Sequence, residues 1–317
     1  MSYAQYGTIQ ASDYNTLVGI SPGATANTLN AVWSVGAATA GYGQTAEGNV
    51  TVGDTVTAAK WANLITKTAN SATHQSSSIT SVTAPASGNT ITYNANVVTN
   101  LQTIYTNRLN AGTQGSTTAN TIAYGSTWST ALTFTHTVTF ANGDAARYFF
   151  NSGGQLKLTC SHANSTAGIN LLFNNLASNV GTVVMSAPTS GTVSLPGGTY
   201  NGITKVGGGG TTPTISTNSG YYAMTISNVT AFTQTASTGP AGYLSTFIRV
   251  IAKSNGTQGG NGDTGSIVTL YTVWDEVPDG LVVGTGSTVT VTAQAPETTY
   301  LANTWGTISV AGSATGS

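Results

Sequence analysis

From residue 128 onward the apolar side chains recur at every second position. ALTFTHTVTF, residues 131–140, sets Leu132, Phe134, His136, Val138 and Phe140 on one side and threonines on the other. A chain with this period buries one face as a β-strand. KLTCSH, TVVM, YYAMTI, TFIRVIAK and SIVTLYTVW continue in the same manner between Gly, Pro and Asn turns. TFIRVIAK (246–253) and SIVTLYTVW (266–274) are long enough to pair as a hairpin through the polar loop SNGTQGGNGDTG. The pattern predicts an all-β domain over residues 128–317, most simply a sandwich or jelly roll.

The first 110 residues follow a different period. IQASDYNTLV (9–18) and VTAAKWANLI (56–65) share apolar or small residues at Ile9/Val56, Ala11/Ala58, Tyr14/Trp61, Leu17/Leu64 and Val18/Ile65. Steps of three and four place these residues on one helical face. Ser12 or Asp13 is positioned to cap the first helix and Thr57 the second. A looser third copy, GNTITYNANVVTNLQTIYTNRL (88–109), keeps the Gly-x-Thr-[Ile/Val]-Thr lead-in and a stripe of Val97, Val98, Leu101, Ile104, Tyr105 and Leu109. Each helix is too short to stand alone in water. They need one another or the same segments of neighbouring chains. Tyr14, Leu17, Trp61, Leu64, Val97, Leu101 and Tyr105 are therefore the candidate docking and oligomer contacts. Residues 111–127, AGTQGSTTANTIAYGST, read as a linker. The fold class expected is α+β: a small helical region over 1–110, then the mainly-β domain.

Charge narrows the function. Only 5% of residues are charged and the net charge is −1, against about 25% charged residues in ordinary soluble proteins. Such a surface cannot hold copies apart by repulsion, and suits a protein packed in an assembly. No basic balance points to nucleic acid, and the aromatics are not interleaved with Lys or Arg. No run approaches the ~18 apolar residues of a membrane span. The start MSYAQYGTIQ has neither a basic nor an apolar run, so synthesis in a cytoplasm without a signal peptide is expected. The single cysteine, Cys160, makes no disulfide within one chain.

The chemistry-bearing residues are sparse. The one carboxylate cluster is WDEVPD (274–279). Asp275 and Glu276 are consecutive on a strand and point to opposite faces, which suits neither acid nor base partner in glycoside hydrolysis. Asp275 with Asp279 across Pro278 would hold a cation or cap a turn; the plain reading is a strand ending in a Pro turn. His74, His136 and His162 lie far apart with no metal-binding spacing. VGGGGTTPT (206–214) lacks the Gly-Lys-Ser/Thr of a phosphate loop, and GGNGD (259–263) occurs once where calcium-binding repeats need stacking. No G-x-S-x-G elbow is present. No catalytic, cofactor-binding or metal-binding residue is assigned, and no cofactor is expected.

NGDAARYFFNSGGQLKLT (142–159) reads as a strand, a turn over Asn151–Gly154 and a returning strand. Tyr148, Phe149 and Phe150 would fill a core or a subunit contact. Asp144 is near enough to Arg147 to pair with it.

At this stretch the chain resembles a family. ARYFFN-x-GGQ is similar to a hairpin of structural proteins of tailed bacteriophages, including the cyanophage type. MSYAQYGTIQASDYNTLVG with its echo GDTVTAAKWANLI resembles the helical repeats of the same virion proteins. The likeness covers about the first 160 residues; GPAGY (239–243) and WDEVPDGL (274–281) agree in style. It implies a non-enzymatic virion protein, a neck or tail appendage or fibre component, docked by its N-terminal part on other proteins of neck, tail or baseplate. It also implies a homotrimer. Two alternatives stand beside it. One is a receptor- or carbohydrate-binding tip that meets host surface glycan through Tyr221, Tyr222 or Trp305. The other is a capsid decoration or tail-tube protein. An enzyme around Asp275, Glu276 and Asp279 is the most distant.

Overall fold

The computed structural model describes residues 10–51, 53–89, 91, 94–188, 190–216 and 220–317, so Ile9, Thr90 and Thr92 of the repeat lie outside the described residues. The chain is α+β, with a helical N-terminal region and a mainly-β remainder.

The helical stripes form the elements their spacing predicts: α1 (Ala11–Val18), α3 (Ala58–His74) and α4 (Ala95–Thr106), with a short α2 (Leu29–Val32) between the first two. The Thr57 hydroxyl accepts from Lys60 N and the Asn94 side chain from Asn96 N, capping α3 and α4. Their apolar faces meet in one core with Val50 and Leu301. Within it the Tyr14 and Trp61 rings approach to 6.0 Å. The segment after α2 threads this core on polar ties. Asn30 donates to the Gly19 and Glu47 carbonyls, and Glu47 pairs with Lys67 at 2.7 Å.

The β part begins earlier than the expected linker allows. Gln114–Tyr124, inside that stretch, is an eleven-residue strand, β1, paired with β12 (Ser287–Pro296). Its Thr and Ile residues favour extended backbone. It lacks visible alternation because Gly115–Ala119 is exposed on both faces. One sheet runs β1, β12, β3 (Gln155–His162), β4 (Thr182–Met185) and β7 (Ile203–Val206), every pair antiparallel. The other runs β13 (Ser309–Gly316), β2 (Ala131–Thr139), β11 (Ile267–Asp275), β10 (Phe247–Ser254), β9 (Val229–Thr235) and β8 (Thr214–Ile215), also antiparallel. β5 (Val193–Leu195) and β6 (Gly198–Tyr200) form a small separate hairpin. The expected pairing of 246–253 with 266–274 is the β10–β11 hairpin, and the alternation of β2 buries Leu132, Phe134, His136 and Val138.

The RYFFN stretch is a helix, not a strand. α5 spans Gly143–Asn151, and the Asn142 side chain accepts from Ala145 N at 2.8 Å to start it. It ends in a Schellman motif: Gly153 N donates to the Phe150 carbonyl and Gly154 N to the Phe149 carbonyl, with Gly153 at φ 88°. The Gly-Gly pair read as a hairpin turn is the helix stop. Phe149 and Phe150 are fully buried, edge to face at 5.0 Å, so both belong to the core as expected, but from a helix.

The sequence reading also passed over α6 (Ile169–Val180). Its stripe of Ile169, Leu172, Phe173, Leu176, Ala177 and Val180 is buried, and it packs against β3 of one sheet and β9 and β10 of the other. The Phe173 ring lies 4.8 Å from Trp128 and 5.8 Å from Trp274 on β11. The sandwich is thus a wedge. α6 holds one side open, while the other closes where β1 lies over β13. There Gly312 and Gly316 leave room for Asn120 and Tyr124; a Cβ at Gly316 would stand 2.7 Å from the Tyr124 hydroxyl.

Phe173→Ala should lower the unfolding free energy by about 3–5 kcal/mol, the usual loss for a truncated core aromatic. Urea unfolding followed by tryptophan fluorescence measures it. A loss below about 1.5 kcal/mol would mean that α6 does not hold the sheets apart.

Candidate functional site

The residues with the most committed chemistry gather where the two cores meet. On α5, Arg147 and Asn151 are one turn apart and face the segment 35–44 of the helical region. Arg147 is fully buried. Its Nη1 donates to the Ala40 carbonyl and its Nη2 to the Val35 carbonyl, both at 2.9 Å. The expected pair with Asp144 forms: Nη2 and Nε reach Oδ1 at 3.2 and 3.3 Å. Asp144 also accepts from Gly262 N in the β10–β11 loop. One ion pair therefore ties three separate stretches of chain together.

Neighbouring groups repeat the connection. Asn151 Nδ2 donates to the Gly41 carbonyl at 3.1 Å. The Tyr222 hydroxyl sits between Asn151 Oδ1 at 2.6 Å and the Ala38 carbonyl at 3.0 Å, two acceptors sharing its one proton. Thr304 donates to the Tyr42 carbonyl at 2.6 Å, and the Gln44 amide exchanges two hydrogen bonds with the Ala302 backbone. The segment itself needs glycine. Gly41 has φ 98°, and a Cβ there would stand 2.2 Å from the Val35 carbonyl oxygen. Gly43 lies against the Tyr148 ring, which a Cβ would meet at 2.4 Å.

His74 closes the other end of the junction. It is the last residue of α3, yet its Nε2 lies 3.0 Å from the Ser152 carbonyl at the end of α5. Its Nδ1 lies 3.4 Å from Glu297 Oε1. Burial lowers the His74 pKa, against the opposing pull of Glu297 and Ser152. The Ser152 carbonyl can only accept, so Nε2 carries a proton, and Nδ1 can donate to Glu297 only when the ring is charged, the state that burial opposes.

The candidate contacts fall differently from their expected role. Tyr14, Leu17, Trp61, Leu64, Val97 and Leu101 are turned inward and fill the helical core of their own chain. Tyr105 is half-buried under the Arg108 guanidinium at 4.6 Å. The short helices satisfy one another within one chain. Tyr148 is half-buried against segment 35–44 under Arg147. The aromatics offered for stacking on glycans are also occupied. Tyr221 stacks on Phe150 at 4.2 Å, Tyr222 is engaged as above, and Trp305 is buried. Glu276 is buried and accepts from Gly280 N and Leu281 N, which makes it the cap of the turn after β11. His162 lies between Ser287 and Asn170. Among the described residues, no group of three His, Cys, Asp or Glu is placed to hold a metal ion, and no helix is long and apolar enough to cross a membrane.

Nothing in the sequence reading singles out segment 35–44, and Tyr222, offered there for glycan stacking, is a contact of the junction instead. The one local signal was Gly-Tyr-Gly at 41–43, a glycine-flanked aromatic that marks a tight backbone path. The arrangement holds chain together: most of its donors end on backbone carbonyls, and others on Asp144 and Asn151 of α5. Compared with protein-family models, curated proteins and solved structures, the chain matches none of them.

Arg147→Ala should lower the unfolding free energy by about 3–5 kcal/mol, because two buried carbonyls and Asp144 lose their partner. Arg147→Lys should recover only part, since an ammonium lacks the planar fork. Chemical denaturation gives both values; an Arg147→Lys variant as stable as wild type would refute the fork. A second expectation concerns acid. His74, His136 and His162 all have pKa values lowered from 6.5, burial being the largest cause in each. Unfolded, they take up protons first, so stability is full above pH 6.5 and falls as pH drops below it. Asp275 and Glu276, raised by burial, act with the opposite sign near their ordinary values of 3.8 and 4.5. The urea midpoint should therefore be lower at about pH 5.5 than at about pH 7.5. An unchanged midpoint would contradict the neutral buried rings.

Proposed function

We propose that this chain is a non-enzymatic structural subunit of a tailed-bacteriophage virion, a neck or tail appendage whose helical region docks and whose β sandwich projects. The observation that carries the reading is the use made of the scarce ionisable groups. Arg147, Asp144, His74, Glu297 and Glu276 each bond to the chain's own backbone or to one another. A surface left to hydroxyls and amides fits a protein packed among other proteins. The particular assembly is taken from the resemblance, in sequence alone, of ARYFFN-x-GGQ and of the N-terminal repeats to virion proteins. Locking the helical and β cores through one buried guanidinium suits a part that must transmit position from a docking base to a projecting module.

Mass spectrometry of purified particles, with labelled antibody located by electron microscopy, tests the proposal. The chain should be present in the particle, with label at the neck or tail. Absence from the particle would overturn it. Label spread over the head or along the whole tail tube, at hundreds of copies, would replace it with a decoration or tube protein.

A further inference from the structure

Two free sheet edges lie one above the other at the narrow side of the wedge. Among the described residues β1 pairs as a strand only with β12, and β13 only with β2. Neither QGSTTANTIAY nor SVAGSATG contains a charged residue or a proline. Proteins that stay monomeric blunt such edges with Lys, Pro, bulges or a covering loop. Here the single irregularity in β1 lies between Gln114 and Thr117, and Thr117–Tyr124 keeps unbroken register with β12. β13 offers an edge of matching length, eight residues, which is about 27 Å of strand.

The two edges also share a direction. Asn120 Oδ1 stands over Gly312 and the Tyr124 ring over Gly316, so β1 and β13 run the same way. A single two-fold axis that is perpendicular to both strands and runs from one edge to the other at the narrow side then does two things at once. It sets β1 antiparallel to the β1 of a second copy, and β13 antiparallel to its counterpart. We infer that a second copy of this chain binds at this edge and that both sheets continue across the dyad. An identical edge pair is the partner that presents two strands with the same separation and direction; a single peptide would fill one edge and leave the other open. The outward faces, Thr117, Ala119, Ala311 and Ser313 among them, are exposed and uncharged, so no like charges oppose the approach. The pair is a two-fold dimer, in place of the threefold assembly that the family likeness implies, and it does not rest on the virion reading.

The test is the mass of the purified full chain by light scattering across a dilution series, with hydrogen exchange read at the same concentrations. A dimer is expected, with amides of 117–124 and 309–316 gaining protection as it forms. Ala119→Lys with Ser313→Lys, both on exposed outward positions, should weaken the dimer about tenfold or more. A monomer at every concentration, or a trimer, would overturn the inference. So would a dimer whose edge amides exchange alike at all concentrations, which speaks even if the lysine variant fails to fold.

Discussion

A guanidinium cannot be left dry and unpartnered, and that constraint organises this molecule. Arg147 sits fully buried between two cores, where removing a cation from water is costly unless its donors are met. Two of them are met by the Val35 and Ala40 carbonyls, which must therefore converge on one side of a tight backbone loop. That convergence explains the glycines around it: Gly36 at φ 57° and Gly41 at φ 98° follow a path that side chains would block. The same requirement demands that residues 143–151 be helical. Only a helix sets Arg147 and Asn151 on one face with Asp144 one turn below, while Phe149 and Phe150 face the sandwich.

What could be read from the sequence follows where burial has contrast. α1, α3 and α4 each show one wet and one dry face, and β2, β10 and β11 alternate, so their periods survive in the residue order. α5 lacks this contrast. Its Arg147 and Asn151 are as buried as its phenylalanines, and a polar residue inside reads like one outside. The aromatic run then argued for a strand, although Asn142 and Gly153–Gly154 were present as helix start and stop signals. β1 failed from the opposite cause, being wet on both faces over much of its length. α6 had its stripe in plain order, Ile169 to Val180, but stood among strand-like segments.

The junction itself was half visible. Asp144 and Arg147 are near in sequence, so their pairing was accessible from spacing alone. The rest of the site consists of backbone carbonyls at 35, 38, 40, 41 and 152, and a carbonyl is common to every residue. Side-chain patterns carry no record of which carbonyls will converge. His74 illustrates the limit from another direction: it ends α3 well beyond the stripe at 56–65 that marks this helix in the sequence, and its partners Ser152 and Glu297 are set by how two cores dock.

Interior packing also decides what the outside can do. α6, with Phe173 against Trp128 and Trp274, holds one side of the sandwich open. Because the two sheets are tied in one core, opening that side brings the opposite margins together, and the small residues of β13 let β1 close over it. The narrow margin is thus a consequence of the wide one. Charge has little part in what happens there, since the chain's 8 Lys and Arg and 9 Asp and Glu residues are few and several are committed inside. Association by such a surface draws on backbone hydrogen bonds and fitted hydroxyl rows, not on long-range attraction. It should accordingly depend on geometry far more than on ionic strength, the reverse of an electrostatically steered encounter.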